Sequence, residues 1–224
     1  MKVTTDACLF GAWVVNEDKR QKLITKNDLD VGAGTGLLSL MYAQKNSRAF
    51  IDAIEIDEEA HAQAKENIAA SPFAGRINIF HDDVKKFSFS KKYDCILSNP
   101  PFYEKEIRSG SERKNIAHHH SGLMLEDLLS IIKANLSSHG TFYLLLPFKR
   151  NEEIKKILLK QDLFVSKIVF AKQSTKHNYF RVMIAGKLEE DPAETLIEEI
   201  SIWDDQQKYT GEFKELMKDY YLYL

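Results

Sequence analysis

The segment Leu29–Leu40, LDVGAGTGLLSL, limits what this chain can fold into more than any other. Apolar residues run into Gly32, Gly34 and Gly36, and apolar residues at helical spacing follow. The pattern predicts a strand, a sharp turn and a helix, with the glycines giving the backbone the freedom that the turn needs. A unit of this kind belongs to folds that hold a ligand at the carboxyl edge of a parallel sheet.

The rest of the chain repeats the alternation. Strands are predicted at Asp28–Val31, Ala49–Ile56, Arg76–Phe80, Tyr93–Ser98 and Thr141–Leu146. Helices are predicted at Leu37–Lys45, Glu58–Ala70, Leu125–Ser137 and Asn151–Lys160. Strands separated by helices imply an α/β fold: a Rossmann-like, mostly parallel twisted sheet with helices on both faces. Two further strands, Leu163–Ala171 and Tyr179–Lys187, are joined by a loop too short for a crossover helix. They are expected to form a C-terminal antiparallel hairpin. A length of 224 residues suits one domain. Within it, 1–14 is an opening segment, 27–187 the core, and 188–224 an extension packed on the core. Tyr220, Tyr221 and Tyr223 are expected to seat that extension on the sheet.

Composition removes several classes. With 44% hydrophobic and 29% charged residues the chain is neither disordered nor fibrous. No run reaches the roughly 18 apolar residues of a membrane span, and the start has no signal-peptide pattern. Cys8 and Cys95 fall in a predicted buried helix and a strand, which reads as reduced thiols and a cytoplasmic setting. A net charge of −2 gives no general attraction for nucleic acid, so an RNA partner would need a local basic surface.

The glycine turn differs from that of dinucleotide-binding proteins. Its spacing is GxGxG rather than GxGxxG, and Asp30 precedes it. S-adenosylmethionine carries an ammonium, a carboxylate and a sulfonium in place of phosphates. Asp30 would suit the ammonium. Glu55, at the end of the second strand, can accept from both ribose hydroxyls. Asp83, after the third strand, can accept from the adenine amine, with the Val84 backbone reading the ring.

Asn99-Pro100-Pro101-Phe102 leaves the fourth strand. The prolines make a rigid turn at the carboxyl edge. The Asn99 side-chain oxygen and the Pro100 carbonyl can accept the two N–H bonds of an exocyclic amine, which would aim its lone pair at a methyl donor. This is catalysis by positioning and electrostatics. Phe102 can stack on the base, helped by Tyr103. The base must be unpaired or flipped to enter.

DVGAGTG, IEID and NPPF together resemble the class I amino-methyltransferases with an (N/D)PP(Y/F) motif, which modify adenine, cytosine or glutamine amides. The opening KVTTDACLFGAW, NYFRVMIAG and the tail YTGEFKELMKDYYL are similar to the bacterial tRNA(Val) adenine-37-N6 methyltransferases. The resemblance implies an enzyme of class EC 2.1.1 that methylates adenosine-37 of tRNA, with S-adenosylhomocysteine as product. It implies a tRNA substrate, no membrane and no obligate protein partner. It also implies that Thr5, Asp6 and Gly11 line the methionine side of the cofactor site. Thr4 stands where relatives often carry Gly, and relatives carry a short segment ahead of the KV motif. Two alternatives remain open: an amino-methyltransferase acting on rRNA, DNA or a protein glutamine, and a non-catalytic RNA-binding protein that keeps the fold.

The polar stretch after Phe102, with Arg108, Arg113 and Lys114, is expected to border the substrate. His118, His119 and His120 are adjacent and cannot converge on one ion, so no metal is expected. Lys149, Arg150, Lys155, Lys156, Lys172, Lys176, Lys85 and Lys86 are candidates for a basic rim, and Arg181 serves either the fold or RNA.

Overall fold

The computed structural model of the chain describes residues 3–18, 26–100, 123–190 and 194–224. Among them the strands are β1 (Lys26–Val31), β2 (Ala49–Glu55), β3 (Ile77–His81), β4 (Tyr93–Ser98), β5 (Leu136–Pro147), β6 (Phe164–Ser174), β7 (Tyr179–Lys187) and β8 (Leu196–Trp203). They form one sheet in the order β3-β2-β1-β4-β5-β7-β6-β8. β1 to β5 are parallel, and β7 runs antiparallel to both β5 and β6. This is the mostly parallel sheet with a C-terminal hairpin that the sequence predicts.

The helices are α1 (Thr5–Asp18), α2 (Leu37–Lys45), α3 (Glu58–Ala69), α4 (Leu125–Asn135), α5 (Asn151–Lys160) and α6 (Gly211–Met217). The sheet separates two apolar clusters. One holds Phe10 and Trp13 of α1, Met41 and Tyr42 of α2, and Phe213 and Met217 of α6. The other holds Leu128, Leu129 and Ile132 of α4 with Ile154 and Leu158 of α5. The central strands feed both clusters by alternation: Cys95 and Leu97 of β4 face the first, Ile96 the second. α1 is buried almost all round because it lies between the sheet, α2 and α6. Its Trp13 ring meets Tyr143 of β5 edge-on at 5.6 Å. Both cysteines are buried and free.

Three departures from the sequence reading have physical causes. β8 was not predicted. Its segment LIEEISIW carries two central glutamates, and most of its residues are exposed. It pairs parallel with β6, where Lys167 bridges Glu198 at 2.9 Å and Lys172 bridges Glu199 at 2.8 Å. Those lysines, distant in sequence, make the acidic strand tolerable. The second departure is α4, which ends at Asn135 rather than Ser137, because β5 starts at once and runs for 12 residues. The third is the tail. Tyr220 and Tyr221 pack against the cluster that α1, α2 and α6 form on one face of the sheet, but Tyr223 is exposed and does not.

Candidate active site

Strand register brings the cofactor and substrate motifs together. Val31, the last residue of β1, lies beside Ile54 of β2 on one side and Ser98 of β4 on the other. The Ser98 hydroxyl donates to the Val31 carbonyl at 2.7 Å, which pins the two strand ends. The next residues, Gly32 and Asn99, therefore leave neighbouring strands at the same edge. Glu55 pairs with His81, so Asp83 leaves that edge one strand further on. The strand order reverses between β1 and β4, the place where open α/β sheets bind ligands.

The turn itself needs its glycines. Gly32, Gly34 and Gly36 have φ of +72°, +57° and +81°, in the left-handed region. The Gly32 and Ala33 N–H groups both donate to the Ile54 carbonyl, at 2.9 and 3.1 Å. Among the described residues a side chain at Gly32 would meet nothing within 4 Å, which leaves open space directly over the turn. Glu55 closes this cradle. Its carboxylate accepts from Gly34 N–H at 2.7 Å through one oxygen and from Asp57 N–H at 2.8 Å through the other. Each oxygen keeps a second lone pair, which suits a pair of neighbouring hydroxyls. Ile56, 58% exposed, stands beside Glu55 as an uncovered apolar face. Asp83 is held in a tight turn, accepting from Lys85 N–H at 3.0 Å, and Val84 is buried under it. An open cradle, a braced carboxylate and a bare apolar side chain fit the sugar and base of S-adenosylmethionine. Ile56 was missed from sequence; an apolar residue between two acids at a strand end was the available signal.

Asn99 is half-buried and Pro100 buried, directly after β4. Pro101, Phe102 and Tyr103 lie outside the described residues, as do Arg108, Arg113, Lys114 and the three adjacent histidines.

Of the four other expected cofactor contacts, Asp30 and Gly11 are enclosed in the core, and Thr5 and Asp6 lie at the start of α1. Asp30 is 0% exposed, and its Oδ2 accepts from the Ser39 hydroxyl at 2.7 Å and the Ser39 N–H at 3.1 Å. It ties β1 to α2 beneath the turn and is not open to an ammonium. Burial pushes its carboxyl up to about 7, helped by the Glu55 charge and opposed by the Ser39 bonds. Gly11 is buried in the α1–α2 contact, where a Cβ would lie 2.8 Å from Met41 Sδ and 3.2 Å from Leu38, so the two helices approach closely there. Thr5 and Asp6 line a cavity whose other walls come from the ends of β6, β7 and β8 and the turns beside them. Asp6 accepts from Arg181 Nε at 2.7 Å, which gives Arg181 a structural partner. Desolvation works against that carboxyl, yet bonds from Thr4 and Arg181 hold it below its ordinary value.

The methyltransferase small domain family model matches residues 14–158. A protein of Dyadobacter fermentans named tRNA1(Val) (adenine(37)-N6)-methyltransferase is 40% identical over 225 residues, covering 99% of this chain and 91% of that one. A protein of the same name from Photorhabdus laumondii is 33% identical over 226 residues, covering 100% of this chain and 89% of the other. The chain belongs to the tRNA1(Val) (adenine(37)-N6)-methyltransferase family. Among solved structures, a predicted O-methyltransferase of Agrobacterium tumefaciens superposes with a TM-score of 0.69 at 15% identity, over 94% of this chain and 95% of that one. The glycopeptide N-methyltransferase MtfA, solved with S-adenosylmethionine, gives 0.58 at 12% identity, over 80% and 94%. These two share the class I methyltransferase fold.

In this member of the tRNA1(Val) methyltransferase family much of the supposed basic rim is already paired. Arg150 bridges Glu153 at 2.8 Å, Lys155 bridges Glu152 at 3.2 Å, and Lys172 bridges Glu199. Such pairs weaken the field available to a phosphate backbone. Among the described residues no group of three or more His, Cys, Asp or Glu is placed to hold a metal ion. No described helix is long and apolar enough to cross a membrane.

Proposed function

We propose that the chain transfers a methyl group from S-adenosylmethionine to N6 of adenosine-37 in tRNA(Val). The observation that carries this reading is the Val31–Ser98 register, which sets Asn99 and Pro100 beside the glycine cradle. The names of the full-length relatives supply the base and the RNA.

S-adenosylmethionine supplies a methyl group on a positively charged sulfur. Glu55 accepts from its ribose hydroxyls, Ile56 covers its base, and Asp83 accepts from its amine. Asn99 and the Pro100 carbonyl accept the two N–H bonds of the target adenine and so aim the nitrogen lone pair. Asp30 acts indirectly, as a positioning residue for the turn through Ser39. Phe102 stacks on the adenine, which enters from an unpaired loop. The methylated nitrogen then loses its proton to water. The enzyme works in the cytoplasm, where tRNA is found.

Asn99→Ala tests the assignment. Label from radioactive S-adenosylmethionine should enter valine tRNA as N6-methyladenosine with the wild-type chain. The variant should lose about 100-fold or more of that rate while still binding S-adenosylmethionine in calorimetry. Turnover near wild type would remove Asn99 from the chemistry, and no label in tRNA with the wild-type chain would remove the substrate.

A further inference from the structure

At the same edge of the sheet, on the half not used by the cofactor motifs, lies a cavity of about 760 Å³. Its walls come from the β6–β7 hairpin, the end of β8 and the following turn, and the start of α1. Pro147 of β5 pairs with Arg181 of β7, so the cavity begins two strand spacings, roughly 10 Å, from the strand that carries Asn99. Its size falls within the roughly 300–1,000 Å³ of small-molecule sites.

Its chemistry is unusual for a surface recess. Trp203 is 37% exposed and lines it. The ring rests on Tyr209 at 4.1 Å, and Tyr209 rests on Phe213, which is fully buried, at 4.7 Å. Trp203 is thus the outer plate of an aromatic stack anchored in the core. The acids around it are engaged. Asp6 holds Arg181, Asp204 accepts from Gln206 and Lys208 N–H at 2.8 and 2.9 Å, and Asp205 accepts from the Thr175 hydroxyl. The lining also offers the amides of Gln173 and Gln207, with Lys176 exposed at the hairpin tip. A flat aromatic plate, amide donors and acceptors, and carboxylates already held by hydrogen bonds suit a neutral heteroaromatic ring, with its phosphate left outside near Lys176.

We infer that this cavity holds a second unpaired base of the RNA, stacked on Trp203, while the target adenine occupies the Asn99 turn. This rests on the reading of the chain as an RNA methyltransferase. Two seated bases would fix the register of a single-stranded loop, which one adenine pocket does not do.

The chain has two tryptophans, Trp13 and Trp203, and Trp13 is buried. Trp13→Phe therefore leaves Trp203 as the sole reporter. Titration of that protein with an unmodified valine anticodon stem–loop should quench its emission saturably. In the full chain, Trp203→Ala should weaken RNA binding by about fivefold to a hundredfold, the range for loss of one stacked base. Trp203→Phe should recover most of it, with S-adenosylmethionine affinity kept in both. Labelled stem–loop followed by anisotropy reports binding independently. Bound RNA with flat tryptophan emission, and unchanged affinity in Trp203→Ala, overturns the inference. Quenching and weakened binding without methyl transfer into tRNA would keep the cavity and discard the functional reading. No RNA binding at all would discard both.

Discussion

Asp30→Asn gives a sharp test of how the cofactor turn is built. The Asp30 carboxyl sits fully buried with Oδ2 on Ser39 and Oδ1 without a partner among the described residues. Its pKa stands at about 7 against an ordinary 3.8. The folded chain thus keeps a proton on Asp30 that the unfolded chain releases between about pH 4 and pH 7. A folded-state pKa raised in this way makes stability fall as pH rises through that window. At about 1.4 kcal/mol per pH unit, the full cost at pH 8 is about 4 kcal/mol, and roughly 1.5 kcal/mol has already been incurred at pH 5. Asparagine has no such ionisation, so the wild type should lose about 2–3 kcal/mol relative to the variant between pH 5 and pH 8. A constant offset of about 1–3 kcal/mol, from placing an amide N–H₂ at the unpartnered Oδ1 position, lowers the variant at every pH. Asp28, which burial also raises well above its ordinary value, is present in both proteins and cancels. Urea unfolding of both chains at pH 5, 6, 7 and 8 measures the difference directly. Parallel pH profiles would refute the buried, protonated Asp30.

Two further outcomes follow from the turn. Glu55→Ala removes the acceptor that holds Gly34 and Asp57 N–H and the two ribose hydroxyls; S-adenosylmethionine affinity in calorimetry should fall at least about 30-fold, and an unchanged affinity would end the ribose role. Gly32→Ala and Gly36→Ala both force alanine into a left-handed conformation, so each should cost about 1–2 kcal/mol in unfolding experiments. Only at Gly32 does the new Cβ enter the open cradle, while at Gly36 it meets Ala64 at an ordinary 3.5 Å. Cofactor affinity should therefore fall about tenfold or more at Gly32 and much less at Gly36; equal losses would show that the cradle is elsewhere.

What the sequence determined by itself was local. The strand–glycine–helix unit, the carboxylate at the end of β2 and the end of β4 at Asn99-Pro100 each follow from residue types a few positions apart, because backbone freedom and rigidity are short-range properties. The short loop between Ala171 and Tyr179 likewise required an antiparallel hairpin. What depended on distant partners was decided only by the tertiary structure. Asp30 reads as a ligand group until Ser39 and the surrounding core enclose it. Gly11 is a cofactor residue by resemblance until Met41 packs against it, and Arg181 serves either the fold or RNA until Asp6 arrives from the other end of the chain. β8 is legible only once Lys167 and Lys172 of β6 lie beside its glutamates. The Trp203 stack draws on residues 203, 209 and 213, yet the cavity it lines exists only because the hairpin and the start of α1 close around it. Burial and ion pairing are sums over neighbours in space, and a linear reading sees only neighbours in the chain.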